Sequence, residues 1–358
     1  MSTGKKIIFV VGATGAQGLA VIDSLLAASE DGSPSPYAVR ALTRSPESRR
    51  AKELTAKGVE CVKGSFLDFD IVADALQGAW GAFVNTDSFT VGEPWEIYAG
   101  MRIFELAKKA GVRHYVWSSL ESAYKRSGYN PDYRVHHHDA KDRVSDWMQA
   151  QPSAVSDTEM SWSMVTTVPY MDMLNEIMFA PVSQREDGTV VFATPMGDRS
   201  MPMVALSDIG FFARYVFDNR ATTSRAELKI ASDMVSWEYL RKNFEKVTGK
   251  NAEVLYLSIE EWFDNLGTDW RQDQPIAAAG KVGVDTISWK DNMRAWWTMY
   301  HDGILKRDLD WIRRINPNGH TLESWMREHK YGERLWERGT VLKNVEERMA
   351  QMTPKEFK

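Results

Sequence analysis

The segment VVGATGAQG, residues 10–18, constrains the fold more than any other part of the chain. It begins with the last two residues of the apolar, β-branched run IIFVV and spaces Gly12, Gly15 and Gly18 as G-x-x-G-x-x-G. In a strand–turn–helix unit, the first glycine permits a tight turn and the second lets backbone N–H groups approach a pyrophosphate. The third allows the helix to pack closely on the strand. We predict a dinucleotide-binding turn here; the alternative is a purely structural turn.

Short apolar runs then alternate with helical patterns. The predicted strands are residues 7–11, 38–43, 59–63, 82–85, 115–119 and 160–168, and a helix is predicted over about 136–150. Strands that alternate with helices are typical of βαβ units, in which the strands are parallel. The sequence therefore predicts an α/β fold with a Rossmann-type, doubly wound parallel sheet.

The pattern changes after residue 168. Short strands and helices mix there, with one helix expected to begin at Ser207 or Asp208, and residues 285–350 are mostly helical and aromatic. A single core rarely grows efficiently beyond about 250–300 residues. We expect a Rossmann core over residues 1–168 and a smaller α/β C-terminal part over 169–358, some of which returns to the Rossmann sheet.

Charge and cysteine content restrict the partners. The net charge is −5 and the sequence pI is about 5.9, so we expect no direct binding to nucleic acid. Cys61 is the only cysteine, and no run of 18 apolar residues or signal peptide is visible. We expect no membrane association, a location in the cytoplasm with the nucleus as an alternative, and a monomer or homodimer.

The end of the second predicted strand indicates which dinucleotide binds. Proteins that bind NAD usually offer an acid there to the ribose 2′-hydroxyl. This chain offers Arg44 and Ser45, and its first acid is Glu47. A guanidinium holds a phosphate in a forked contact, so we predict NADP(H). The alternative is that the arginines form a solvated helix face, which we expect for Arg50 and consider for Arg49.

Two further pairs of residues follow predicted strands at the edge where ligands bind. Asp68, with Phe69 beside it, follows the third strand and is placed to meet the adenine edge; its alternative role is a helix N-cap. Asn85 and Thr86 end the fourth strand. We predict that these four residues line the cofactor cleft.

The run VHHHDAK places three consecutive histidines at the start of a predicted helix. Consecutive helical residues point about 100° apart, so His136, His137 and His138 are not expected to share a metal ion, and we predict no metal site. His137 and Lys141, four residues apart, share one helix face beside the predicted cleft. The alternative is a solvated, polar helix start.

Six segments carry a resemblance to a known family. They are GATGAQG, LTRSPESRRAKELTAKGVECVKGSFLD, ELAKKAGVRHYVWSSLES, HHDAK, MGDRSMPMVALSDIG and INPNGHTLESWMREHK. Together they resemble the NmrA-like family, atypical relatives of the short-chain dehydrogenases, over about residues 5–330. Among its members, the chain is similar to a vertebrate redox sensor. It departs from that sensor by an insertion at 124–135, an aromatic segment near 292–314 and a C-terminal tail.

The resemblance implies an NADP(H)-binding Rossmann domain with a smaller domain that closes a cleft over the nicotinamide. It implies that Arg44 binds the 2′-phosphate and that Lys141 meets the nicotinamide ribose. Residues 167–170, which include Val168, Pro169 and Tyr170, would flank the nicotinamide. The residues implied to bind the pyrophosphate are Gly12, Thr14, Gly15, Ala16, Gln17 and Gly18.

Short-chain dehydrogenases carry Tyr-x-x-x-Lys where this chain has His137-x-x-x-Lys141. The missing tyrosine is typical of the family and implies little or no dehydrogenase turnover, which favours a redox-state sensor that binds a regulatory protein partner. The alternative is an NADPH-dependent reductase of an aromatic carbonyl or quinone-type substrate that uses Lys141 or His137 as proton donor. Ser119 is a further catalytic candidate, although a strand-end serine often only satisfies backbone groups. The loop tyrosines Tyr124, Tyr129, Tyr133 and Tyr170 are other candidate donors.

Overall fold

A computed structural model describes residues 4–29, 31–176, 178–265, 272–277 and 287–336. The strands are β1 Lys6–Val11, β2 Tyr37–Thr43, β3 Glu60–Lys63, β4 Gly81–Val84, β5 His114–Ser119, β6 Ser161–Thr166, β7 Ser183–Gln184, β8 Val190–Thr194, β9 Ser200–Met203, β10 Glu227–Lys229, β11 Asp233–Ser236 and β12 Ala252–Tyr256. The helices are α1 Ala16–Leu26, α2 Arg49–Ala56, α3 Phe69–Leu76, α4 Ser88–Val91, α5 Glu93–Lys109, α6 Ala123–Arg126, α7 His136–Gln149, α8 Leu206–Asp218, α9 Arg220–Thr223, α10 Trp237–Thr248, α11 Ile259–Asn265, α12 Trp289–His301, α13 Leu309–Ile315 and α14 Leu322–Glu328.

Seven parallel strands form the main sheet, in the order β10-β6-β5-β4-β1-β2-β3. Helices cover both faces of this sheet, and β1, β4, β5 and β6 are largely or wholly buried because they lie between the two layers. The strand order reverses between β1 and β4, and ligands bind in the crevice beyond the carboxyl ends of the strands at such a reversal. The predicted doubly wound α/β fold is confirmed.

Residues 206–229 return to the main sheet after the chain has left it. Strand β10 pairs in parallel with β6, and helix α8 packs along α1. At their crossing Gly210 lies against the α1 backbone, where an added Cβ would come within 2.5 Å of the Ala20 carbonyl oxygen. The two helices can approach this closely only because that position has no side chain.

The remaining described part contains two small sheets, β12-β8-β7 and β11-β9, and helices α10 to α14. Its core includes the fully buried side chains of Trp237, Trp297 and Trp325. Arg307, between α12 and α13, joins this part to the Rossmann sheet. Its buried guanidinium pairs with the Glu121 carboxylate and donates to the carbonyl oxygen of Ile230 at 3.1 Å. Within the described residues, no helix combines the length and apolarity needed to cross a membrane.

Two predicted element boundaries were wrong. The sixth strand ends at Thr166 rather than 168, and α8 begins at Leu206 with Ala205 as its N-cap, before both predicted capping residues. The Asp208 carboxylate does not cap the helix because it accepts hydrogen bonds from the Asn316 side chain at 3.1 Å and the His320 backbone at 3.0 Å. The tail predicted beyond residue 336 lies outside the described residues.

Replacing Gly210 with alanine will lower the free energy of unfolding by about 1–3 kcal/mol, because the added methyl group forces α1 and α8 apart. Helix propensity alone predicts the opposite sign, since alanine favours helix over glycine by about 1 kcal/mol. Urea denaturation measures the difference. Ser207→Ala, at an exposed position of the same helix, is the matched control; a Gly210→Ala protein as stable as the wild type would contradict the packing described here.

Candidate functional site

The glycine-rich turn connects β1 to α1 at the reversal of strand order. Gly12 has φ +77°, and a Cβ there would lie 2.7 Å from the Asn85 carbonyl oxygen. A Cβ on Gly18 would lie 2.7 Å from the Ala13 Cα atom. Gly12 therefore permits both the turn and its contact with the end of β4, and Gly18 permits α1 to start directly against the turn.

The N-terminus of α1 is free of side-chain capping. Gly15 is its N-cap and makes no side-chain cap hydrogen bond, so backbone N–H groups of the first turn, from Ala16 to Gly18, point out of the helix end. Such a helix end attracts anions through its N–H groups and its dipole. Gln17 is buried, and its side-chain amide lies 2.9 Å from the Ser118 hydroxyl at the end of β5, which fixes the helix to the sheet.

The arginines after β2 divide into two groups, and the prediction for Arg50 was wrong. Arg44 is exposed directly after β2, Ser45 follows it partly buried, and Arg49 is exposed and pairs with Glu53 at 2.6 Å. Arg50 is only 4% exposed, and its guanidinium donates to the Thr14 carbonyl oxygen at 2.9 Å. Helix α2 begins at Arg49, so Arg50 is its second residue and faces the glycine-rich turn.

Asp68 and Phe69 lie at the carboxyl end of β3. Asp68 occupies the N-cap position of α3, as the alternative prediction had it, but its side chain makes no capping bond. Its carboxylate instead accepts the Ser65 backbone N–H at 2.8 Å. Phe69 packs edge-on against Tyr98 of α5, with 5.4 Å between the ring centroids. Asp68 is exposed, as a residue that binds a cofactor from the rim of the cleft would be.

Lys141 is held among oxygen atoms at the ends of β4 and β5. Its side chain is buried, and its Nζ lies 3.2 Å from Asn85 Oδ1, 3.1 Å from the Thr86 carbonyl oxygen and 3.3 Å from the Ser118 carbonyl oxygen. The ammonium also lies 5.0 Å from the Trp117 ring centroid. The predicted cleft residues Asn85, Thr86 and Lys141 are therefore in mutual contact.

Glu96 of α5 completes this group, and the sequence analysis did not identify it. Its Oε1 lies 3.2 Å from Lys141 Nζ and accepts the Thr86 hydroxyl at 2.6 Å. The residue has no exposed surface, and Oε2 has no hydrogen-bond partner among the described residues. Burial raises the pKa of this carboxyl group, while the Lys141 ammonium and the Thr86 hydroxyl oppose the rise.

The three histidines of α7 point to three different partners. His136 Nδ1 lies 3.0 Å from the Glu93 carboxylate, and His138 Nδ1 lies 2.9 Å from the Glu121 carbonyl oxygen. His137 packs on Phe89, with 4.7 Å between the ring centroids, and contacts Asn292 of α12. In the described part of the chain, no group of acidic, histidine and cysteine side chains converges as a metal site would require.

Asn292 of α12 contacts the start of α7 through its side-chain amide. Its amide oxygen accepts the His136 backbone N–H at 3.0 Å, and its amide nitrogen and oxygen lie 3.0 Å and 3.3 Å from His137 Nδ1. Nδ1 therefore has a partner in the Asn292 amide in either tautomer of the neutral ring. Burial and the neighbouring His138 hold the pKa of His137 well below its usual value, so the ring is neutral near pH 7.

The other catalytic candidates lie in different surroundings. The Ser119 hydroxyl is buried and contacts the Ser145 hydroxyl at 2.7 Å and the Leu120 carbonyl oxygen at 3.2 Å, which favours the structural alternative for this residue. Tyr124, Tyr129 and Tyr133 belong to the insertion: the Tyr133 hydroxyl donates to Asp302, and Tyr129 is 63% exposed.

Tyr170 is the one loop tyrosine that lies beyond the carboxyl end of a core strand. It follows β6 and the buried residues Val168 and Pro169, and it pairs with Val204 in an isolated bridge. Burial, with Asp87 and Asp172 nearby, raises the pKa of its phenol. Asp87 also influences His137, so Tyr170, His137 and Asp87 share one electrostatic neighbourhood.

The family model of the NmrA-like family matches residues 4–288. This chain belongs to the NmrA-like family. The NmrA-like family domain-containing oxidoreductase malD of Malbranchea aurantiaca is 27% identical over 324 residues, which cover 85% of each chain. The predicted family membership is confirmed, while similarity to the vertebrate redox sensor in particular stays a prediction.

Solved structures share the NmrA-like fold at low sequence identity. One is NmrA, a negative transcriptional regulator, in complex with NADP, with a TM-score of 0.68 and 20% identity over 91% of this chain and 95% of that one. Another is an NADPH-dependent quinone oxidoreductase of Escherichia coli complexed with NADPH, with a TM-score of 0.65 and 20% identity over 91% and 100% of the two chains. At this identity, the likeness establishes the fold.

Two residues that the sequence analysis missed shape this NmrA-like site. Glu96 had a local signal: it shares helical spacing with the buried residues Ala99, Gly100 and Ile103, so an acid on an apolar face was visible in the sequence. Asn292 had none, because it is 155 residues from His137 and only the packing of α12 against the start of α7 brings the two together.

Replacing His138 with glutamine will reduce the amount by which the free energy of unfolding falls on acidification. Burial lowers the pKa of His138 from 6.5 to about 4. Between these values the unfolded chain binds a proton that the native protein does not, so stability falls as the pH drops through 6.5 and levels off near 4. From pH 7.5 to 5 the wild type will lose about 2 kcal/mol more unfolding free energy than the variant. Equal losses in urea titrations at the two pH values would contradict the burial of a neutral ring.

Proposed function

We propose that this NmrA-like protein binds NADP(H) along the carboxyl edge of its main sheet. The turn from Gly12 to Gly18 accepts a pyrophosphate because two of its glycines leave room only for backbone, and the uncapped start of α1 attracts the negative charge. The neighbours crystallised with NADP and NADPH support the choice of cofactor. Thr14, Ala16 and Gln17 belong to the same turn and helix end.

The exposed Arg44 supplies the preference for the 2′-phosphate. It directly follows β2, where an NAD-specific protein would carry an acid, and Ser45 adds a hydroxyl beside it. Arg50 has a different role in this proposal: its guanidinium donates to the Thr14 carbonyl oxygen and thereby supports the pyrophosphate turn from behind. Asp68 and Phe69 would meet the adenine at the same end of the cleft.

Arg44→Ser will weaken NADPH binding at least tenfold and leave NADH binding within about twofold, because only the 2′-phosphate needs the guanidinium. Titration of the intrinsic tryptophan fluorescence measures both affinities. Arg49→Ser, five residues along and with the same change of charge, is the control and will leave the NADPH affinity near that of the wild type. Equal weakening of both cofactors by Arg44→Ser would place the 2′-phosphate elsewhere.

We further propose that the protein is an NADPH-dependent reductase. The observation that carries this proposal is the buried, neutral His137 ring, which lies one helical turn before Lys141 on α7 and contacts Phe89 and Asn292. A neutral imidazole carries one ring N–H, and a hydrogen bond from this group to a carbonyl oxygen can polarise the carbonyl. Bound NADPH supplies the hydride, and the protein supplies position and this hydrogen bond.

The other polar groups have supporting roles in this proposal. Lys141, tied to Asn85 and Thr86, would hold the nicotinamide ribose, and Val168, Pro169 and Tyr170 would flank the nicotinamide. The phenol of Tyr170, with its raised pKa, stays protonated at neutral pH and is a second hydrogen-bond donor. The curated relative malD, named as an oxidoreductase, agrees with this assignment.

His137→Ala will lower kcat roughly 100-fold on an accepted substrate and change the NADPH affinity little, because removing one fixed donor to a developing oxyanion has this effect. The assay follows the loss of NADPH absorbance with aromatic ketones, aldehydes and quinones. His138→Gln, on the same helix but bonded to Glu121, is the control. If His137→Ala turns over at the rate of the wild type, the donor is another group, and Tyr170→Phe is the next variant.

A second function, a redox-state regulator with a protein partner, is favoured by a different observation. Burial moves the pKa of His137 down and that of Tyr170 up, so neither group exchanges protons readily near pH 7. Wild-type protein that binds NADPH but consumes it with no member of the panel would support the regulator. The partner, the cytoplasmic or nuclear location and the monomeric or dimeric state stay predictions.

A further inference from the structure

We infer that Glu96 sets the relative affinity of the site for the reduced and oxidised forms of the dinucleotide, acting through Lys141. This inference rests on the proposed binding of NADP(H). Glu96 would not touch the cofactor: it is a positioning and charge-balancing residue one layer behind the lysine. The function proposed above assigns Lys141 to the nicotinamide ribose and gives Glu96 no role. We add that Glu96 controls which redox form of the cofactor binds more tightly.

The contacts show that Lys141 does not need a carboxylate to satisfy its hydrogen bonds. An ammonium has three donors, and neutral oxygens of Asn85, Thr86 and Ser118 already lie within 3.4 Å of Nζ. Glu96 adds an ion pair at 3.2 Å and leaves one oxygen without a partner among the described residues. A glutamine would satisfy the same Thr86 hydroxyl and ammonium, so the distinctive contribution of Glu96 is its negative charge.

The two forms of the cofactor differ by one charge at the nicotinamide ring, which would lie beside Lys141 in the proposed binding mode. The oxidised nicotinamide carries a formal positive charge, whereas the reduced ring is neutral. An uncompensated ammonium would therefore oppose the oxidised form and leave the reduced form nearly unaffected. Because Lys141 and Glu96 are buried together, solvent screens their field weakly, and the pair presents almost no net charge to the ring.

Such control matters to a reductase and to a regulator alike. The ratio of the two dissociation constants fixes the reduction potential of the bound couple, and a tenfold change in that ratio equals about 30 mV for two electrons. In a regulator, the same ratio decides how far a shift between NADPH and NADP+ changes the occupied state. By setting this ratio, Glu96 would affect either function without contacting the cofactor.

The test measures the dissociation constants of NADPH and NADP+ separately, by calorimetry on the full-length protein. Glu96→Gln will weaken NADP+ binding at least tenfold more than NADPH binding, which corresponds to a shift of the bound couple by about 30 mV to more positive potential. Glu96→Asp, which keeps the charge, will hold the ratio within about threefold of the wild type. Glu105→Gln, on the same helix but 58% exposed, removes an equal charge far from the lysine and is the matched control.

A double variant separates charge from structure. Glu96→Gln combined with Lys141→Met restores a neutral pair, so the ratio will return to near the wild-type value although both affinities fall. The inference would be overturned if Glu96→Gln left the ratio of the NADP+ and NADPH dissociation constants unchanged, or if the double variant changed this ratio as much as the single variant. If Glu96→Gln does not fold, Lys141→Met is measured by itself. Because this variant leaves the Glu96 charge without its ammonium partner, the inference predicts no relative gain in NADPH affinity over NADP+ affinity, and such a gain would overturn it. Wild-type protein that binds neither form would instead refute the proposed cofactor.

Discussion

The parallel arrangement of the main sheet is the constraint on which the site depends. Parallel strands can be joined only by crossovers, so each chain segment returns over a face of the sheet and every strand points the same way. The carboxyl ends of β1, β4, β5 and β6 consequently lie along one edge. The glycine-rich turn, the group around Lys141 and the segment with Tyr170 are three consecutive features of that edge, although they are far apart in the sequence.

Burial gives this edge its electrostatic character. Lys141 and Glu96 are removed from water together, and the two charges offset one another where neither alone would be favourable. His137 is neutral because it is buried, and its Nδ1 contacts an amide from the C-terminal part. The site thus combines a buried ion pair with a neutral imidazole, so that position rather than net charge governs what binds or reacts there.

Much of the fold could be predicted because it follows from local patterns. The alternation of apolar runs with helical stretches gave strands within two residues of their observed ends, and the glycine spacing marked the start of α1. Arg50 shows where local reasoning stops. Polarity indicated a solvated side chain, but the register of α2 places its guanidinium against the Thr14 carbonyl oxygen, and a buried arginine is stable only with such partners.

The sequence by itself determined the α/β class, the family and the set of residues at the ends of the strands, because these depend on short-range periodicity and on glycines whose role is steric. Only the tertiary structure decided the state of each group. His137 is neutral because it is buried beside His138, it contacts Asn292 from 155 residues away, and the environment of Lys141 includes Glu96 from a different helix. Tautomers, ion pairs and pKa values depend on neighbours in space and on exclusion from water, which linear spacing does not specify.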